Sequence, residues 1–186
     1  MISEVGHRCT IAEFEQFLKH PDNRERRFEL IDGAIVERVR SEENELIVAN
    51  FALYVGRFVI KRGLGRIVLD TYRHAPNDEY NDLLPDIALT RKERLQPVVS
   101  KGAVPQIPDL VIEVPARGAC AEDFQAKVQY YLAYGAALVW LAHPAACSIA
   151  VCTQNKVRLL RKDGVLDGGN LLPGFSLPVR DIFDFD

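Results

Sequence analysis

Asp109-Leu110-Val111-Ile112-Glu113-Val114 is a near-continuous apolar run that carries a carboxylate inside it. A short run of this composition reads as a strand buried on both faces. Glu113 has no place there by itself, because a desolvated carboxylate must bind a proton, a cation or a metal. The helical stretch downstream, from about Cys120 to Tyr134 with Gly135 as its stop, repeats the anomaly with the opposite charge. Cys120, Phe124, Val128 and Tyr131 form its apolar stripe, and Lys127 projects among them. Ala137 to Ala142 reads as the next buried strand.

Working outward, Thr10 and Glu13 form a capping box that opens a helix from Ile11 to about His20, ended by Pro21. Arg27–Ile31 and Ala34–Val39 are β-prone and flank Asp32-Gly33, which predicts an N-terminal hairpin. Ser41 caps a long helix whose first turn carries Glu42, Glu43 and Glu45, as the helix dipole favours. Gly63 ends it. Strands are predicted at about Arg66–Arg73 and Pro85–Thr90. Between Arg91 and Gln106 lies a basic, proline-containing loop. Ser148–Thr153 and Lys156–Arg161 predict a C-terminal hairpin closed at Gln154-Asn155, and Gly164–Asp186 reads as turns with a short segment at Pro178–Phe183. The order predicts one α/β (α+β) domain over residues 1–186, with a central mixed β-sheet flanked by helices.

Asp86, in Leu84-Pro85-Asp86-Ile87-Ala88-Leu89, gives the two misplaced charges a third partner. Asp109 competes for the role, but it lies about 13 Å along the same strand from Glu113, too far to share an ion with it. Carboxylates with backbone carbonyls suit Mg²⁺, for which Mn²⁺ substitutes. Asp86, Glu113 and the carbonyl of Val114 are therefore the candidate metal ligands. Lys127 is the candidate for orienting water or stabilising developing charge in phosphodiester cleavage. The competing structural readings are an internal ion pair for Glu113, and snorkelling or an i,i+4 pair with Asp123 for Lys127.

Bulk properties narrow the classes. A net charge of −3 gives no global basic signature, so non-specific coating of nucleic acid is not expected. No apolar run suffices to span a bilayer, and the first residues lack a secretory pattern, so a cytoplasmic protein is expected. Cys9, Cys120, Cys147 and Cys152 match no zinc spacing and read as reduced thiols. A serine or cysteine hydrolase is disfavoured: there is no Gly-x-Ser-x-Gly, and His7, His20, His74 and His143 have no evident nucleophile partner.

These residues, in this order, resemble a large bacterial family with a restriction-endonuclease-like fold, within the PD-(D/E)XK nuclease superfamily. The resemblance covers most of the chain. It rests on Thr10–Phe14, Arg27–Val36, Arg62–Gly65, Leu84–Ala88, Pro108–Val114, Lys127–Tyr131, Trp140 and Leu171–Phe175. It implies a metal-dependent endonuclease acting on nucleic acid, DNA rather than RNA, with Asp86 and Glu113 as metal ligands. It also implies that the catalytic lysine has moved from the strand, where Pro115 now stands, to Lys127 on the helix. Glu29, in the most recognisable stretch, is a fourth candidate for the site. A homodimer is compatible with duplex cleavage. The chain departs from the family pattern at Pro115-Ala116-Arg117-Gly118 and at Asn44, where a histidine is common. The alternative reading is a catalytically inactive domain of the same fold that binds nucleic acid or protein.

Overall fold

The computed structural model describes residues 7–118 and 121–185, with the side chains of 121–123 left aside. The expected stripe position of Cys120 and the pairing of Lys127 with Asp123 lie outside that description. Helix α1 (Ile11–Lys19) starts at the Thr10/Glu13 capping box. Strands β1 (Arg27–Ile31) and β2 (Ala34–Arg38) form the antiparallel hairpin. Its turn places Asp32 and Gly33 at φ +49° and +78°, which suits this residue pair. Helix α2 (Glu42–Arg62) is capped by Ser41, whose hydroxyl accepts from the Asn44 N–H, and ends at Gly63 in the left-handed region.

Strand β3 (Gly65–Leu69) stops four residues short of the expected Arg73, because Asp70 adopts φ +46° and turns the chain out of the sheet. Then come β4 (Ile87–Arg91), β5 (Leu110–Glu113), α3 (Ala121–Ala133), β6 (Leu138–His143), β7 (Ser148–Thr153) and β8 (Lys156–Leu160). Strands β3 to β8 form one sheet in sequence order. Only the β5–β6 pair is parallel, with α3 as its crossover, so the sheet is mixed as expected. The tail differs from the expectation. It forms an antiparallel pair, β9 (Val165–Gly168) and β10 (Leu172–Pro178), before a 3₁₀ turn at Val179–Ile182. Its turn residues hid short strands whose Leu166, Leu172, Phe175 and Leu177 are buried.

The two faces of the sheet have different cover. Ile87, Leu89, Leu110 and Ile112 point to one side, where Ile47, Phe51, Val55 and Val59 of α2 pack with Trp140 and the β9–β10 pair. Each such fully buried large side chain contributes about 1.5–3 kcal/mol. Val111 and Val139 point to the other side, against Val128 and Tyr131 of α3. Alternation along β5 puts Glu113 on the α3 face with Val111. The β4–β5 register pairs Ile87 with Ile112 and Ala88 with Val111. Carried one residue further, it sets Asp86 opposite Glu113. The hairpin is attached to this face by backbone hydrogen bonds between Leu30 and Asp82. Phe28 and Leu30 pack towards α1, leaving Glu29 for the opposite side.

Candidate functional site

Asp86, Glu113, Lys127 and Glu29 meet on the α3 face, and all four are buried. Asp86 Oδ2 accepts from the Val114 N–H at 2.6 Å, which locks the first acid to the end of the second acid's strand. Glu113 Oε1 lies 2.7 Å from Lys127 Nζ and accepts from the Tyr131 O–H at 3.0 Å. Lys127 Nζ also lies 2.8 Å from Glu29 Oε1, and that oxygen accepts from the Leu84 N–H at 2.7 Å. Lys127 therefore neither snorkels nor stands alone: it is an internal cation shared by two acids from different strands. Asp109 lies at the other end of β5. It is held by Arg91 at 2.8 Å and Arg94 at 2.9 Å, so both arginines are engaged with the protein itself.

Two more cations enter from the end of the hairpin. Arg38 Nη2 sits 3.2 Å from Asp86 Oδ1 and 3.3 Å from Glu113 Oε2, and its Nε lies 3.5 Å from Glu29 Oε2. Its Nη1 donates to the Leu84 carbonyl. Arg40 donates to Asp86 Oδ1 and, at 2.6 Å, to Asp70. Neither arginine stood out in the sequence, yet one signal was there. The Asp32-Gly33 turn fixes Glu29 opposite Val36, and Arg38 is two residues beyond Val36, on the same face and diagonal to Glu29. Tyr131 was visible only as part of the apolar stripe, and its hydroxyl is what reaches the acid. Asn44 joins the long helix to the site: its Nδ2 donates to the carbonyls of Val114 at 3.1 Å and Pro115 at 2.9 Å.

The electrostatics follow from this crowding. Burial pushes the Glu113 carboxyl up, against the downward pull of Lys127 and Arg38. Burial opposes the charge on Arg38, but Glu113, Glu29 and Asp86 outweigh it and hold the guanidinium charged. Burial, then the neighbouring Glu113, pushes the Tyr131 phenol well above its usual range, so it acts as a donor. A cavity of about 330 Å³ opens beside the cluster, lined by Glu29, Arg38, Val114, Arg117, Phe124 and Lys127 among others.

The donor chemistry fits a hard divalent ion. Asp86 and Glu113 turn one oxygen each towards a single shared cation, Arg38 Nη2. Among the described residues no three His, Cys, Asp or Glu side chains form a metal-binding group. Two buried carboxylates are hard oxygen donors of the kind that would suit Mg²⁺, which keeps several waters.

A mixed sheet between helices, with two acids at facing strand ends and a lysine from the crossover helix, defines the restriction-endonuclease-like class of fold. The chain belongs to the Uma2 family, described as "Putative restriction endonuclease", which it matches over residues 14–180. Its structure is similar to the crystal structure of "a putative nuclease belonging to DUF820" from Anabaena variabilis. The TM-score is 0.78 over 94% of this chain and 97% of that one, at 19% identity, a likeness of fold. No curated protein matches the chain. Among the described residues no helix is long and apolar enough to cross a membrane.

Proposed function

We propose that the chain is an endonuclease that hydrolyses phosphodiester bonds of nucleic acid, DNA in preference to RNA, with Mg²⁺ as its ion and Mn²⁺ as a substitute. The observation that carries this reading is the pair of buried acids, Asp86 and Glu113, facing one shared cation beside a cavity. The family's description supports the substrate class. Asp86, Glu113 and the carbonyl of Val114 would hold the ion; that carbonyl accepts one hydrogen bond from Asn44 and keeps a second lone pair. When bound, the ion would offset charge on the scissile phosphate and acidify a coordinated water.

The chain's own residues divide the remaining work. Lys127 has three donors, and three carboxylate oxygens surround it: Glu113 Oε1 at 2.7 Å, Glu29 Oε1 at 2.8 Å and Glu29 Oε2 at 3.1 Å. A phosphate oxygen or the attacking water in the cavity that Lys127 lines would take the place of the longest of these, the Glu29 Oε2 contact. Tyr131 and Lys127 fix Glu113 Oε1, so only Oε2 faces the shared cation. Glu29 positions Lys127. The reading further places the protein in the cytoplasm, and duplex cleavage calls for a homodimer.

The test is cleavage of supercoiled DNA, linear duplex, single strands and RNA with Mg²⁺, Mn²⁺ or a chelator. Divalent-dependent cleavage is expected. Loss of a water-activating or charge-stabilising group should slow it by about a hundred-fold or more in Asp86→Asn, Glu113→Gln and Lys127→Met. Binding without cleavage in every condition would overturn it. The chain would then be an inactive nucleic-acid-binding domain, a reading that Arg38 and Arg40, by neutralising the acids, would explain.

A further inference from the structure

We propose that Arg38 is the resident counter-ion of the Asp86–Glu113 pair, and that a divalent ion enters only as this guanidinium leaves. The inference rests on the metal-dependent reading above and concerns what controls access to the same acids.

Oxygen by oxygen, the pair leaves one opening. Asp86 Oδ2 is taken by the Val114 N–H, and Glu113 Oε1 by Lys127 and Tyr131. The two remaining oxygens, Asp86 Oδ1 and Glu113 Oε2, both face Arg38 Nη2, at 3.2 and 3.3 Å, and Arg38 is the one cation common to both, since Arg40 donates to Asp86 Oδ1 alone. An ion bridging them would take the position of that nitrogen. Charge points the same way. The three buried acids Glu29, Asp86 and Glu113 already have Arg38, Arg40 and Lys127 against them, with Arg40 shared with Asp70, so a dication added without a departure would add positive charge where the acids are already neutralised.

Access and room also agree. Arg38, Glu29 and Lys127 line the cavity, whereas Asp86 and Glu113 are not part of its wall and have no exposed surface, and of the three only Arg38 touches both acids. Arg38 therefore stands between the cavity and the acids. It sits at the last position of β2, and the next residue, Val39, is largely exposed. A rotation about its long side chain carries the guanidinium into the cavity, where a phosphate would receive it. The closed arrangement is also incompletely satisfied: Arg40 Nε is a buried donor without a partner.

The experiment is Mn²⁺ titration of the full chain, read by electron paramagnetic resonance of the free ion, for wild type, Arg38→Gln and Arg38→Lys. If the closed form holds nine molecules in ten, its removal tightens apparent affinity about ten-fold. Arg38→Gln should show that gain, and Arg38→Lys, which keeps the charge, should not. Equal, measurable affinity in wild type and Arg38→Gln overturns the gate and leaves the metal reading standing. Absence of binding in all three at millimolar Mn²⁺ overturns both. Should Arg38→Gln fail to fold, the unmodified chain gives a second readout. Saturating Mg²⁺ should shift the Arg38 Nε–Hε resonance and speed its exchange with water, and an unmoved resonance at saturation overturns the gate.

Discussion

Replacing Lys127 by methionine tests whether the buried ion cluster is as tightly coupled as its geometry indicates. Methionine keeps the length and apolar stem of the side chain and removes only the ammonium. The lysine is 1% exposed and lies 2.8 and 2.7 Å from acids that are 3% and 0% exposed, so solvent screens almost none of the interaction. Removing one partner of a buried pair costs about 3–5 kcal/mol, because the abandoned charge stays in the interior. In a chain of this size about 1 kcal/mol moves the melting temperature by roughly 2–4 °C, so a fall on the order of 6–20 °C is expected. Trp140 is the chain's only tryptophan and is fully buried beside Phe51 and Phe175, which makes its fluorescence a natural reporter for urea unfolding. Unfolding should be run with a chelator, so that ion binding adds nothing to the native state. Glu113→Gln in the same chain completes a double-mutant cycle. Removing one charge of each sign restores the balance, so the double variant should be more stable than the two single losses sum to, by about 2 kcal/mol or more. A loss below about 1 kcal/mol in Lys127→Met, or a coupling near zero, would refute the account of Lys127 as the cation that holds Glu29 and Glu113 together.

Asp82 gives a pH signature. Its Oδ1 is buried without a partner, and burial, then the charges of Glu15 and Glu29, pushes its carboxyl up to about 7. The folded chain keeps this proton to higher pH than the unfolded chain, so stability is fullest below about pH 4 for this group and declines as pH rises through 7. Asp82→Asn should remove that decline, which amounts to about 2–3 kcal/mol in urea unfolding measured from pH 5 to 8. Asp109→Asn should weaken the clamp with Arg91 and Arg94, whose side chains are 50% and 33% exposed, costing about 1–2 kcal/mol after solvent screening. Mn²⁺ affinity should not move, because Asp109 belongs to the other end of β5. Gly65→Ala should cost about 1–3 kcal/mol in the same unfolding assay. Its new Cβ would lie 2.2 Å from the Thr90 carbonyl oxygen, a backbone atom that the β3–β4 pairing holds in place.

The parts of this fold that could be read from the chain are those where local chemistry and tertiary demand agree. The Thr10/Glu13 box, the Asp32-Gly33 turn and the Ser41 and Gly63 caps each fix an element by hydrogen bonding within a few residues. The Asp109–Val114 run could only be a buried strand, and its period of two also settles which face carries Glu113. The β9–β10 pair was hidden for the opposite reason. Its residues have turn-like preferences, and only the apolar surface of α2 and the sheet makes strands of them. The end of β3 was misjudged because a single residue, Asp70, takes a left-handed conformation that composition does not announce.

The candidate site shows a sharper divide. A charge in an apolar run is conspicuous, so Glu113 and Lys127 could be found singly. A charge in a polar stretch is not, so Arg38 and Arg40, in Glu37-Arg38-Val39-Arg40-Ser41, carry no such signal. Yet the buried acids require such cations. Glu29, Asp86 and Glu113 together carry more negative charge than Lys127 can balance, and desolvated acids cannot wait for an ion to arrive before the chain folds. Whatever completes that balance has to reach the acids from an adjoining element, and the end of the hairpin is the element that passes over Asp86 and Glu113. The same neutralisation that lets the sheet close over its acids without an ion would make an ion's entry a competition with Arg38. On the proposed gate, stability of the fold and affinity for a metal would be opposed through one side chain, and a change at position 38 that improves one should degrade the other.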